Sequence, residues 1–178
     1  MHREDLKIVL RDLGLVVPTV GFMAALSLPV VAYFGEWFAL WPFALSALAA
    51  FGLGGLLYLP FRRAGEARLK HGLLIAAMGW LLVAAVGALP FHFVSLRLGG
   101  GTLYPYADMA NAFFESVSGF TGTGLTMSLR PDLLPHSLQW WRSFTEWIGG
   151  MGVIVLMLTL IAGPGASAVS LYLSLIHI

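Results

Sequence analysis

Long runs without a charged residue dominate the hydrophobic and polar pattern of the chain. Between Asp12 and Glu36 lie 23 uncharged residues, between Glu36 and Arg62 lie 25, and between Lys70 and Arg97 lie 26. From Trp147 to the end run 32 more. A helix needs about 20 apolar residues to cross a hydrocarbon core of about 30 Å. The pattern predicts spans at Leu13–Phe34, Trp37–Phe61 and Leu73–Phe93, with a fourth from about Trp140 to Ala162. Backbone groups in lipid must be satisfied internally, so such unbroken runs read as helices. A β-barrel would alternate apolar and polar residues in shorter segments, and no such alternation is visible. Pro18, Pro29 and Pro42 interrupt the first two spans, which membrane helices tolerate.

Basic residues orient the spans. Arg3, Lys7 and Arg11 precede the first, and Arg62, Arg63, Arg68 and Lys70 fill the loop between the second and third. The turn holding Glu36 has no base, so the positive-inside rule places the N-terminus in the cytoplasm of a multi-pass protein. Trp37, Trp41, Trp140 and Trp141 then fall at the outer interface, where indole rings settle. Met1–Asp12 mixes acids with bases and no small-residue cleavage site follows, so no signal peptide is expected.

Composition sharpens the class. Only 11% of residues are charged against about a quarter in soluble domains. The net charge of +1 gives no reason to expect a nucleic-acid partner. Without cysteine, disulfide scaffolds and thiol chemistry drop out.

The segment between the third and fourth spans is the least ordinary. After Gly99-Gly100-Gly101 and Tyr104-Pro105-Tyr106, the stretch Ala107–Ser118 reads as a short helix with Asp108 at its N-terminus. It is too short to cross a bilayer and too apolar, at Met109, Phe113, Phe114 and Val117, to float in water. A re-entrant half-helix buried among protein meets both constraints. It runs into Ser118-Gly-Phe-Thr-Gly-Thr-Gly-Leu-Thr126. Glycine at every few positions permits unusual backbone, and such a strand can turn successive carbonyls toward a cation. The negative end of the half-helix favours positive charge at the same place. The plain alternative is a Gly/Thr-rich surface turn.

Here the chain resembles the Trk/Ktr/HKT potassium transporter superfamily, and its TrkH-like members in particular. The resemblance lies in Ala112-Phe-Phe-Glu-Ser-Val-Ser-Gly-Phe-Thr-Gly-Thr-Gly-Leu-Thr126 and in Trp141-Arg-Ser-Phe-Thr-Glu-Trp-Ile-Gly-Gly-Met-Gly-Val153. Together these blocks cover about a sixth of the chain. The resemblance implies potassium uptake, of the symporter type, across a bacterial inner membrane. It implies a pathway built from four span–pore–span repeats around a pseudo-fourfold axis. Gly124 matches the central filter glycine, and Thr121, Gly122, Thr123 and Leu125 supply the other carbonyls or their support. Glu115, Ser118, Arg142, Gly149, Gly150 and Gly152 fall in supporting places. Where this chain has Gly122, TrkH-like proteins often have threonine, a change expected to loosen the strand rather than alter the ion. K+ is then the transported ion, with no organic cofactor and no other metal. The implied partners are membrane lipid, a second copy of the full-length chain and a cytoplasmic nucleotide-binding regulatory subunit.

Single residues keep two readings. Glu115, mid half-helix, is either a functional intramembrane carboxylate or an acceptor for backbone behind the filter. Arg142 and Glu146, four apart, either pair or anchor that helix end near the interface, the second being preferred. Gly149, Gly150 and Gly152 read as sites of close helix packing. His71, His92 and His136 read as interfacial rather than metal-binding. An intramembrane serine enzyme would draw on Ser46 or Ser143 but lacks a buried histidine. A passive assembly subunit would explain the spans and leave the Gly/Thr strand unexplained. The chain therefore reads as a transporter and not an enzyme.

The expected fold is all-α integral membrane: two N-terminal transmembrane helices, then one span–re-entrant pore helix and loop–span repeat of a potassium-channel-like fold. Residues 1–70 form the two-span region and 71–172 the first repeat. Leu173–Ile178 match one frame of a transposon-derived sequencing adapter (CTG TCT CTT ATA CAC ATC), so 173–178 is expected to be an adapter-derived tail on a fragment.

Overall fold

A computed structural model describes residues 3–162; the proposed tail at 173–178 and the last ten residues of the proposed repeat lie outside them. Among the described residues every regular element is helical. The chain forms α1 (Arg3–Val16), α2 (Pro18–Tyr33), α3 (Trp37–Tyr58), α4 (Leu69–Arg97), α5 (Met109–Phe120) and α6 (His136–Ala162), with single 3-10 turns after α3 and before α5 and α6. Among the described residues three stretches are long and apolar enough to cross a membrane: Glu4–Tyr33, Trp37–Phe61 and Lys70–Arg97. The 27-residue α6 is not among the three; its first half carries Arg142 and Glu146.

The expected boundaries shift in instructive ways. Helix begins at Arg3, ten residues before the expected Leu13, because the charges of the first turns lie on the same rod as the apolar run. The rod breaks at Pro18, which has no N–H to give. There the Thr19 hydroxyl donates to the Val16 carbonyl at 2.7 Å. Pro29 and Pro42 sit inside unbroken helices, so only one of the three prolines interrupts. α4 extends the expected third span by four residues at each end, and α5 lies two residues later than expected.

α2 and α3 form an antiparallel hairpin, and α1 crosses α3 at a pair of glycines. A Cβ on Gly14 would fall 2.6 Å from the Tyr58 nitrogen, and one on Gly54 would strike the Pro18 ring. Only bare backbone permits that approach. The core draws on α2, α3, α4, α5 and α6, with Val20, Met23, Ala24 and Val31 from α2 and aromatic rings where α3, α4 and α6 meet. Phe43 meets Trp141 edge to face at 5.5 Å, and Phe91 meets Tyr106 at 5.1 Å. Trp141 is fully buried, with its indole N–H donating to the Gly87 carbonyl at 2.9 Å. The expectation that it lies at the membrane interface is therefore corrected. It faces inward across α6 from Trp140, which is 40% exposed, as the helical period requires. Trp37 and Trp41 are exposed.

The N-terminal hairpin is fastened to α6 through Glu36. Its carboxylate accepts the His136 backbone N–H at 2.7 Å and the Ser137 N–H at 2.8 Å, capping a helix 100 residues away. His136 Nδ1 lies 3.1 Å from the same carboxylate, and its ring stacks on Phe34 at 4.1 Å. Below, Trp140 donates to the Ser27 hydroxyl at 3.1 Å. At the other end of the molecule, Arg11 donates to the Ala64 and Gly65 carbonyls, and His71 meets Asp5 at 2.9 Å.

Burial works to raise the pKa of Glu36, but the donors from Ser137 and His136 outweigh it and hold the carboxyl below its ordinary value. A depressed folded-state value gives stability that is complete above the unfolded value, about 4.3, and is lost as pH falls through the folded one. Glu36→Gln should therefore destabilise the protein by about 1–2 kcal/mol at neutral pH. Thermal unfolding in detergent at pH 7 and below pH 4 should show the gap between parent and variant closing on acidification.

Candidate functional site

α5 is amphipathic and starts where the sequence placed a cap: the Asp108 carboxylate accepts the Ala110 N–H at 2.8 Å. Its far end is gripped from both sides. Trp80 of α4 donates its indole N–H to the Phe120 carbonyl at 2.8 Å, and a Cβ on Gly149 of α6 would fall on that same carbonyl oxygen. Gly149 is the midpoint of α6, 13 residues from either end, and Trp80 lies 17 residues in from Arg97 on α4. The tip of α5, a helix about 18 Å long, thus meets its neighbours near half their length. Of the three glycines expected to pack closely, only Gly149 is pressed against backbone. Gly150 has open space around it, and Gly152 makes an ordinary 3.6 Å contact with Trp80.

The turn that leaves α5 is a glycine-closed helix terminus. Gly122, at φ +68°, donates to the Gly119 carbonyl at 2.9 Å, while Thr123 donates to the Ser118 carbonyl at 3.0 Å. This double bond pattern satisfies carbonyls that a helix end leaves orphaned, and it requires the left-handed conformation that glycine adopts without strain. Gly122 therefore closes the helix terminus. Gly124, at φ +72°, turns the chain again. The Ser118 hydroxyl then donates to the Leu125 carbonyl at 2.7 Å. Ser118 so grips both sides of the loop, residue 123 through its own carbonyl and residue 125 through its hydroxyl.

Around those anchors a run of carbonyls stands free. Among the described residues no donor reaches the carbonyl oxygens of Thr121, Gly122, Thr123 or Gly124, and all four residues are exposed. The Leu125 carbonyl is committed to Ser118 and belongs to the support. The Thr121 hydroxyl donates to the Val117 carbonyl at 2.8 Å, which leaves Thr123 to donate to Thr121 across 2.7 Å.

One turn back along α5 the carboxylate of Glu115, 1% exposed, holds the returning strand. Oε2 accepts the Met127 N–H at 2.9 Å, and the Thr126 hydroxyl donates to Oε1 at 2.9 Å. Arg142 of α6 meets Oε1 at 2.5 Å through Nε and reaches Glu146 at 3.2 Å through Nη2. Glu115 thus accepts a backbone N–H of the returning strand while paired with Arg142. Arg142 does pair with Glu146, but its shorter contact, 27 positions back in sequence, was invisible to helical spacing. Sequence reasoning also missed Trp80, Tyr106 and Thr126. Tyr106 is fully buried and brings its hydroxyl to 3.4 Å from the Thr126 oxygen. Burial pushes its phenol well above the ordinary range. The turn signal at Tyr104-Pro105-Tyr106 marked the segment, not the partner.

Ser46 is buried with its hydroxyl donating to the Pro42 carbonyl of its own helix, and Ser143 is exposed. The all-helical fold, with three helices long and apolar enough to cross a membrane among the described residues, defines a class: an integral membrane protein. The TrkH family profile, a cation transport protein, matches residues 42–177. The Trk system potassium uptake protein TrkH of Salmonella typhimurium is 37% identical over 131 residues, covering 73% of this chain and 26% of that protein. Its counterpart in Halomonas elongata is 34% identical over 170 residues, covering 94% and 33%. A cation transporter of Methanocaldococcus jannaschii is 30% identical over 174 residues, covering 98% and 34%. The chain belongs to the TrkH family, whose members are ion transporters and not enzymes. It spans about a quarter to a third of the length of these relatives.

Removing either end of the buried ion pair should leave the other charge uncompensated, at a cost of about 3–5 kcal/mol. In a thermal-unfolding cycle, Glu115→Gln with Arg142→Gln should lose clearly less than the sum of the single variants.

Proposed function

We propose that this chain holds one quarter of a potassium pathway, in which the free carbonyls of Thr121, Gly122, Thr123 and Gly124 replace the hydration shell of K+. The observation that carries the reading is the run of four unpaired carbonyls, residues 121–124, in the turn that Ser118 fastens at residues 123 and 125. Exposed carbonyls that no donor occupies are free to replace an ion's hydration shell where such turns meet around a common axis. The α5 C-terminus adds its partial negative charge at the same point. The half-length contact of α5 with α4 and α6 supports reading α4–α5–loop–α6 as a span–re-entrant helix–span repeat, with α6 as the fourth span. Leu125, Ser118, Glu115, Arg142 and Gly149 then support the filter, while Gly150 and Gly152 leave room along α6.

A single repeat supplies one strand, and a closed ring needs four around a common axis. The relatives' greater length leaves room for the other three within one chain. On this reading the protein takes up potassium across a bacterial inner membrane with its N-terminus in the cytoplasm. Residues 1–70 form the two-span region and 71–172 the first repeat. A dimer of the full-length chain and a cytoplasmic nucleotide-binding regulatory subunit complete the assembly.

Valine at Gly124 forces a branched side chain into the left-handed region at a cost of about 1–2 kcal/mol and turns the adjoining carbonyls away. In cells that depend on the full-length transporter for potassium, Gly124→Val should abolish rubidium uptake at unchanged membrane abundance. Uptake at the parental rate would overturn the filter reading.

A further inference from the structure

Thr126 lies outside the row of free carbonyls, yet its hydroxyl is the best-connected group behind it. It donates to Glu115 at 2.9 Å to Oε1 and 3.1 Å to Oε2. With its hydrogen so committed, its oxygen accepts the Ser128 N–H at 3.1 Å and faces the Tyr106 hydroxyl at 3.4 Å as acceptor. One small side chain therefore joins α5, the returning strand and the segment before α5.

The spacing of these contacts defines a register. Ser118 and Glu115 are three residues apart on α5, a rise of about 4.5 Å. Their partners, Leu125 on one side and Thr126 with Met127 on the other, are one to two residues apart on extended chain, about 3.3–6.6 Å. The two ladders match only when the strand returns antiparallel to the helix with Thr126 opposite Glu115. A slip by one residue toward α5 would put the Met127 side chain at the carboxylate, where it has no hydrogen to donate. It would also strip the Leu125 carbonyl from Ser118. Glu115 is itself fixed from behind by Arg142, so Thr126 reads its position from α6 as well as from α5.

We propose that Thr126 is a positioning residue that sets the specificity of the pathway. Through its bond to Glu115 it holds the strand in the one register that presents the carbonyls of 121–124 at a spacing suited to K+. The inference rests on the filter reading but concerns a different residue and a different quantity: selectivity, not passage. A hydroxyl is required and a methyl is not, so serine should serve and the isosteric valine should not.

The test compares Thr126→Val and Thr126→Ser in the full-length transporter, with Gly124→Val alongside. Rubidium and sodium uptake are measured with membrane abundance, and thermal stabilisation of the purified proteins is titrated with KCl and with NaCl. Thr126→Val should lower the preference for potassium over sodium about tenfold, the scale of one hydrogen bond to a buried charge. Thr126→Ser should restore it. Because stabilisation is read per folded molecule, the ratio of K+ to Na+ effects should fall even where Thr126→Val accumulates poorly. A parental ratio in Thr126→Val by both measurements would overturn the proposal while leaving the filter reading intact. Equal loss of preference in the serine and valine variants would also overturn it, since packing and not the hydroxyl would then be responsible. Parental uptake by Gly124→Val would remove the filter reading itself.

Discussion

A carboxylate with 1% of its surface exposed, placed among apolar helices, constrains everything around it. Burying an unpaired charge costs several kcal/mol, so each oxygen of Glu115 must be met by donors of fixed geometry. They come from three places: the Arg142 guanidinium on α6, the Thr126 hydroxyl and the Met127 backbone. None can move without stranding the charge. The distance from α5 to α6 and the path of the returning strand are therefore set by one demand, and the Gly122–Gly124 turn is what remains of the chain between fixed points. The polar network keeps rigid a loop whose composition alone would leave it mobile.

The α5 tip is held by the opposite means. There the contacts are backbone on backbone, with Gly149 admitting the Phe120 carbonyl and the Trp80 indole satisfying it. Polar pairing at mid-helix and steric closeness at the end give α5 two attachments, enough to define its position and its tilt. Ser118 then works between them, its carbonyl and its hydroxyl each holding one side of the turn.

Much of this was legible in the residues. Uncharged runs located three membrane-length helices, Asp108 marked the start of α5, and glycines flagged the turn, because each signal is local and follows from chain geometry. The misses share a different character. Arg142 looked four residues ahead to Glu146, but its shorter contact is with Glu115, on another helix. Trp141 and Trp140 are neighbours in sequence and both suit an interface by composition. Only the packing of α6 on α3 and α4 decides that one turns inward. The first span began early because hydropathy does not register where a helix starts when its first turns are charged. Pairing across the fold depends on which faces meet, and one-dimensional spacing holds no record of that.

The cap that Glu36 places on α6 has a temporal side. A chain made from its N-terminus presents the α2–α3 turn long before His136 and Ser137 exist, with 100 residues of synthesis between donor and acceptor. When α6 at last forms, its first amides arrive at a carboxylate already in position, beside the Phe34 ring on which His136 stacks. The early hairpin is thus a docking template against which the later helix is aligned.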